Sequence, residues 1–252
     1  MARRLMTIKY DGSAYCGWQV QPNAISVQST VQDALCAVLG SRPSVTGCSR
    51  TDSGVHAKMF CFHFDTDSAI ADEKLILAVN AHLPNDISCY DCRQVPDDFH
   101  ARYSAKGKTY IYNILNSKFR DPFLERYSYR FGASLDAELM NDAAQCFVGK
   151  HDFKAFQSAG SSVVDTVRNV SECLVLKSGD LITVKITADG FLYNMVRIIV
   201  GTLLDVATGK IDVNDLPAII DSCDRSKTGP TARPEGLFLE KVHYNFESEE
   251  IK

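Results

Sequence analysis

The order in which hydrophobic periodicities follow one another constrains this chain most. Apolar residues alternate at Met6, Ile8 and Tyr10, then recur at helical spacing at Val31, Leu35, Val38 and Leu39 before Gly40. A short strand is expected near Val45. Phe60, Phe62 and Phe64 alternate again, Leu75, Val79 and Leu83 mark a second helix stopped by Pro84, and Ile87 to Val95 reads as a strand. The order is strand, helix, strand, strand, helix, strand, and it then repeats. Tyr110, Tyr112 and Ile114 form a strand, and Leu139, Ala143 and Cys146 a helix. Val170 to Leu176 and Leu181 to Ile186 form a hairpin around Ser178-Gly179-Asp180. Met195, Ile199, Thr202, Leu203 and Val206 give a helix closed at Gly209, and an added helix is expected over Asp215 to Cys223 with Asp215 as N-cap. Leu237 to Tyr244 is the last strand. The halves share this order but no visible sequence identity.

Each half has the element order of a split βαβ, ferredoxin-like (RRM-like) unit. The expected fold is α+β, with a first lobe over 1–104 and a second over 105–252. Two such lobes can join edge to edge into one extended, mainly antiparallel sheet with helices on one face. The other face is then left as an open central cleft. Phe60, Phe62 and Phe64 are read as core, because a sheet must bury one face, rather than as a platform for stacking bases. Nothing near Ala105 looks like a flexible linker. Ser226 to Gly236 is the longest irregular stretch and a candidate functional loop.

Composition narrows the function. No apolar run approaches the ~20 residues that span a bilayer. Met1-Ala2-Arg3-Arg4 is not followed by the apolar core of a secretory signal, so a cytoplasmic protein with no membrane partner is expected. Nine cysteines, an odd number, argue against a disulfide framework. Cys89 and Cys92 have Cys-x-x-Cys spacing but no second pair. On a strand, positions i and i+3 face opposite ways, so the two thiols should diverge and bind no metal. Net charge is −4. Acidic residues gather at Asp65, Asp67, Asp72 and Glu73 and at Glu247, Glu249 and Glu250. Basic ones gather at Arg93, Arg102, Lys106 and Lys108 and at Arg120, Arg126 and Arg130. A basic cleft on an acidic body fits this distribution. There is no dinucleotide or P-loop glycine motif, no His-Glu-x-x-His and no Gly-x-Ser-x-Gly. His56 and His63 read as structural. A reaction without cofactor or metal is expected.

One segment carries reactive groups on a tight turn: Ser49-Arg50-Thr51-Asp52-Ser53-Gly54-Val55-His56-Ala57. Asp-Ser-Gly is ordinary turn chemistry, yet a carboxylate held there can act as a nucleophile. Arg50-Thr51-Asp52 with Gly54-Val55-His56-Ala57 resembles the signature of the tRNA pseudouridine synthase A family. Further matches follow in order: Tyr10-Asp11-Gly12 with Gly17-Trp18-Gln19; Asn80-Ala81 with Leu83-Pro84; Phe99-His100-Ala101-Arg102; Lys108-Thr109-Tyr110; His151-Asp152-Phe153; Phe191 to Arg197; and Pro234-Glu235-Gly236-Leu237. Each is short, but together they run over essentially the whole chain.

The resemblance implies the two-lobed fold, a homodimer and a tRNA substrate modified in its anticodon stem-loop. It implies Asp52 as the catalytic nucleophile. It also implies substrate-binding roles for Tyr110 (stacking on uracil), Arg197 (cationic partner of the carboxylate), Arg50 (RNA phosphate or base extrusion) and Leu237 (apolar pocket wall). Three positions depart from the family pattern: Ser53 stands where Ala is usual, Ile198 where Asn is usual, and Arg233 where a second Pro is common.

Overall fold

The computed structural model describes residues 1–161 and 163–246. In chain order the elements are strand β1 (Ala2–Tyr10), helix α1 (Val27–Leu39), strands β2 (Thr46–Gly47) and β3 (His56–Thr66), helix α2 (Asp72–Asn80), and strands β4 (Ile87–Val95), β5 (Ala105–Asn116) and β6 (Tyr129–Phe131). Helix α3 (Ala137–Gln145), strands β7 (Gly149–Asp152), β8 (Val167–Ser178) and β9 (Leu181–Ala188), helices α4 (Met195–Ala207) and α5 (Leu216–Asp221), and strand β10 (Leu237–Tyr244) follow. This is the expected α+β class; β6 and β7 are too short to leave a periodic signal. The chain falls into two compact units, Met1–Lys106 with the chain from Phe238 onward, and Gly107–Leu237. The sequence reading puts the last strand in the second lobe. Instead β10 pairs in parallel with β3, Phe238 opposite His56 and Leu239 opposite Ala57. Such a long-range pairing leaves no trace in local periodicity. The acidic tail at Glu247, Glu249 and Glu250 lies outside the described residues.

In the first unit the strand order is β4-β1-β3-β10, with β2 beside β3. Met6 lies opposite Phe62 and Ile8 opposite Phe60, so these side chains share one face. The Trp18 ring stacks 4.1 Å from Phe60. The buried stripes of α1 (Val27, Val31, Ala34, Leu35) and α2 (Leu75, Val79) complete this core. The three phenylalanines are thus core residues, as the alternation implies. Helix α1 starts at a capping box formed by Ser26 and Ser29 and ends at Gly40 with φ +76°. Helix α2 ends before Leu83. The side chain of Asn80, its last residue, bonds both the N–H and the carbonyl of Cys89 at 2.7 Å.

Two expectations change in this unit. The helix-free face is open only in part, because Phe99 to Ala101 and Tyr244 lie over it at His63 while Lys9 and Tyr90 remain exposed. Tyr244 Oη donates to the Ala101 carbonyl at 2.6 Å, Phe99 packs on Tyr244 at 5.3 Å, and Ala101 N–H donates to His63 Nδ1 at 3.1 Å. The cysteines also do not diverge. The register shifts between Thr7 and Ile8, which brings Cys92 opposite Met6 and Cys89 opposite Ile8, on one face. A bulge inserts one residue and so breaks the alternation on which the sequence reading relies. Burial pushes both thiols up to about 12, so they stay protonated, as suits small core side chains. All nine cysteines are free. Among the described residues no group of three or more His, Cys, Asp or Glu side chains is arranged to hold a metal ion, and no helix is long and apolar enough to cross a membrane.

In the second unit the order is β5-β9-β8-β7, with β6 beside β5. Tyr110, Tyr112 and Ile114 lie opposite Ile186, Val184 and Ile182, which makes one apolar face. Helix α4 is buried on nearly every side, from Met195 to Val206. The added helix begins where expected, with Asp215 in the N-cap position and Leu216 as its first residue. A 3-10 turn over Val213–Asp215 precedes α5, and the Asp212 carboxylate accepts from Asn214 N–H at 2.9 Å, while Asp215 makes no side-chain cap bond. The irregular stretch after α5 is strapped onto α4. Gly229 N–H donates to Thr202 Oγ1 and Ala232 N–H to the Arg197 carbonyl, both at 3.0 Å. Gly201 permits this approach, since a Cβ there would stand 1.7 Å from the Pro230 carbonyl oxygen.

Two outcomes follow from this packing. Gly201→Ala should lift the strap from α4 and cost about 1–3 kcal/mol, read as a lowered thermal midpoint. His63 is held neutral, its pKa lowered from 6.5 to about 4, chiefly by burial. The unfolded chain therefore takes up this proton first. The associated stability is complete above about pH 6.5 and is lost as pH falls towards 4. Melts followed by the single tryptophan, Trp18, should show that fall, and His63→Gln should flatten it.

Candidate active site

The loop between β2 and β3 carries Asp52, and the preceding sequence builds its seat. Thr51 is anchored twice: its carbonyl accepts from Trp18 N–H at 3.1 Å, and its hydroxyl bonds Tyr10 Oη at 2.8 Å. Beyond Asp52, Gly54 N–H donates to the Tyr15 carbonyl and Val55 N–H to the Asp52 carbonyl, both at 3.2 Å. Backbone therefore lies directly on backbone, and two glycines allow it. A Cβ at Gly17, where φ is +81°, would stand 2.4 Å from the Thr51 carbonyl oxygen, and one at Gly12 would stand 2.0 Å from that of Val55. The far end of the loop is tied by His56, which is fully buried. Gly12 N–H donates to its Nδ1 at 3.0 Å, Asp11 Oδ1 lies 3.1 Å from the same nitrogen, and the ring stacks on Phe238 at 4.6 Å. The Tyr10-Asp11-Gly12 and Gly17-Trp18 motifs thus serve the Asp52 loop as its floor.

On this platform Asp52 is half-buried and Arg50 exposed. They share the turn but differ in access to solvent. The departure at Ser53 is accommodated, because its hydroxyl donates to the Tyr15 carbonyl at 3.3 Å.

The second unit holds the other candidates. Tyr110 is 6% exposed and meets Phe191 edge-on at 5.0 Å and 80°. It shares the apolar face with the fully buried Tyr112 and Ile114, whereas the sequence reading puts the open cleft on the helix-free side. Strand alternation decides this, since Tyr110 and Tyr112 are two residues apart. Tyr112 Oη donates to the Arg233 carbonyl at 2.7 Å. Burial raises its phenol pKa strongly, so it remains a donor. Gly236 lies against it, since a Cβ there would meet the Tyr112 ring at 2.8 Å. Leu237 follows at once and is buried at the start of β10.

Arg197 sits in the first turn of α4. Its Nε donates to the Ala232 carbonyl at 2.7 Å and its Nη1 to Asn194 Oδ1 at 2.9 Å. The unit therefore joins Arg197, the 228–236 strap and Tyr112 into one assembly, two residues along β5 from Tyr110. Ile198 is fully buried in the core. The Arg233 side chain is committed to Glu235 at 3.6 Å, and its guanidinium lies 6.0 Å from the Tyr129 ring centroid. Sequence reasoning misses Asn194, Ser158 and the Ala232 carbonyl. Only Asn194 had a signal, as the polar residue immediately before α4.

Comparison with known proteins shows the family. A family model described as tRNA pseudouridine synthase matches residues 6–104 and 143–245. The chain is similar to tRNA pseudouridine synthase A of Caldicellulosiruptor saccharolyticus, 47% identical over 97% of this chain and 100% of that one. It is 44% identical to the protein of the same name from Clostridium acetobutylicum, over 95% of this chain and 98% of that one. It is 47% identical to tRNA pseudouridine synthase A 2 of Clostridium perfringens, over 95% and 98%. With its Asp52 loop seated on the matched motifs, the chain belongs to the tRNA pseudouridine synthase family.

Proposed function

We propose that this protein isomerises uridine to pseudouridine in the anticodon stem-loop of tRNA, at positions 38, 39 and 40, without cofactor or metal. The observation that carries the reading is the family match over both halves of the chain. The reaction is balanced without an external oxidant, reductant or energy source. The N1–C1′ bond breaks, the uracil turns, C5 bonds to C1′, the C5 proton leaves and N1 takes up a proton. The target base must leave its stack to enter the site.

In this reading Asp52 is the nucleophile. Its neighbours suit that task, because a carboxylate on a loop pinned at both ends meets its target without searching. Tyr110 stacks on the extruded uracil, and its hydroxyl assists proton transfer at C5. Arg197 supplies positive charge to the reaction. Arg50, exposed on the same turn as Asp52, contacts RNA phosphate or helps extrude the base. Leu237 lends an apolar wall. The protein acts as a homodimer in the cytoplasm, where its nine free thiols suit a reducing milieu.

Asp52→Asn should lower pseudouridine formation by at least about a thousandfold while filter binding shows tRNA affinity within about threefold. Turnover is read as tritium release from tRNA labelled at C5 of uridine, and normal release by this variant would sink the assignment. Tyr110→Phe keeps the ring and removes the hydroxyl. It should reduce kcat by about a hundredfold with KM for tRNA little changed.

A further inference from the structure

Asn194 breaks two local rules at once. It occupies the N-cap of α4, where an asparagine ordinarily accepts a bond from a backbone N–H of the first turn, yet its side chain makes no such bond. Its backbone is left-handed, with φ +61° and ψ +9°, a region that few side chains adopt although asparagine tolerates it better than most. The amide is used elsewhere. Nδ2 donates to Ser158 Oγ at 2.9 Å, and Oδ1 accepts from Arg197 Nη1 at 2.9 Å. The amide orientation is dictated by chemistry. A guanidinium has only donors, so the oxygen must face it. Ser158 is itself tied to this corner, since its N–H donates to the Tyr193 carbonyl at 3.1 Å. On the other side of the guanidinium, Nε is taken by the Ala232 carbonyl at 2.7 Å. Two acceptors on different nitrogens fix the plane of a rigid, planar group.

We propose that Asn194 is a positioning residue for Arg197: its left-handed backbone swings the side-chain amide off the helix end and onto Nη1, so that the guanidinium is offered to the reaction in one orientation. This rests on the reading above that Arg197 serves the isomerisation. The local rule is broken where a neighbouring group needs direction, which is where such departures belong.

The test uses the full chain and unmodified tRNA, with tritium release for kcat and KM and a thermal melt for each variant. Asn194→Gly removes the amide but suits a positive φ, so its melting temperature should equal or exceed that of the parent. Its kcat should nevertheless fall by about tenfold to a hundredfold, with KM for tRNA within about twofold. Asn194→Asp keeps an acceptor for Nη1 and should recover kcat to within about threefold of the parent. Arg197→Lys, which cannot fill two acceptors with one planar fork, should be impaired at least as much as Asn194→Gly. An Asn194→Gly variant with parental kcat beside a crippled Arg197→Lys would overturn the positioning role and leave that of Arg197 standing. Parental kcat for Arg197→Lys would overturn the role of Arg197 itself. A lowered melting temperature for Asn194→Gly, with kcat recovering on cooling, would make Asn194 a structural residue and overturn the proposal.

Discussion

The close approach of one stretch of backbone to another governs the first unit. The segment from Gly12 to Trp18 lies under the turn from Thr51 to Val55, and its N–H and carbonyl groups are bonded to that turn at both ends. Neither Gly12 nor Gly17 could carry a Cβ without striking a carbonyl of the turn. A loop held this way loses little further conformational freedom when it meets a substrate, because that entropy was given up on folding. The core beneath makes the seat stiff. Trp18 bonds Thr51 through its backbone while its ring stacks on Phe60, so the Asp52 loop rests on the same aromatic layer that joins the sheet to its helices.

The second unit solves a similar problem by different means. Its irregular strap cannot supply a regular ladder of hydrogen bonds, so each buried polar group on it must find an individual partner. Gly229, Ala232 and Arg233 find theirs on Thr202, Arg197 and Tyr112. Arg197 takes part through both its backbone and its side chain, which makes helix α4 and the strap one mechanical piece.

Much of this was legible in the sequence where the physical signal is local. The alternation at Phe60, Phe62 and Phe64 and the stripe at Met195, Ile199, Leu203 and Val206 report burial directly, and those elements lie where periodicity puts them. The signal failed where one residue alters the count. The bulge opposite Thr7 and Ile8 turned Cys89 and Cys92 onto one face, against a strand rule that assumes unbroken alternation. The 3-10 turn led by Asp212 that precedes α5 left no signal of its own, because two consecutive acid-led turns look alike in sequence. Of the candidate site, the Asp52 turn and Arg197 stand out in the sequence through their motifs. The reason for those motifs does not, because Tyr10, Gly12 and Gly17 meet residues some forty positions away.

The sequence by itself determined the α+β class, the order of elements, the aromatic core and the family to which the chain belongs. All of these rest on near-neighbour periodicity or on short ordered motifs. Only the tertiary structure decided that the last strand completes the first unit, that the stretch after α5 is bonded onto α4, and that Asn194 turns away from its helix to hold a guanidinium. Those outcomes depend on pairing register and on steric contacts between residues far apart in the chain. Free energies of that kind are settled between surfaces, and no single stretch of sequence contains both of them.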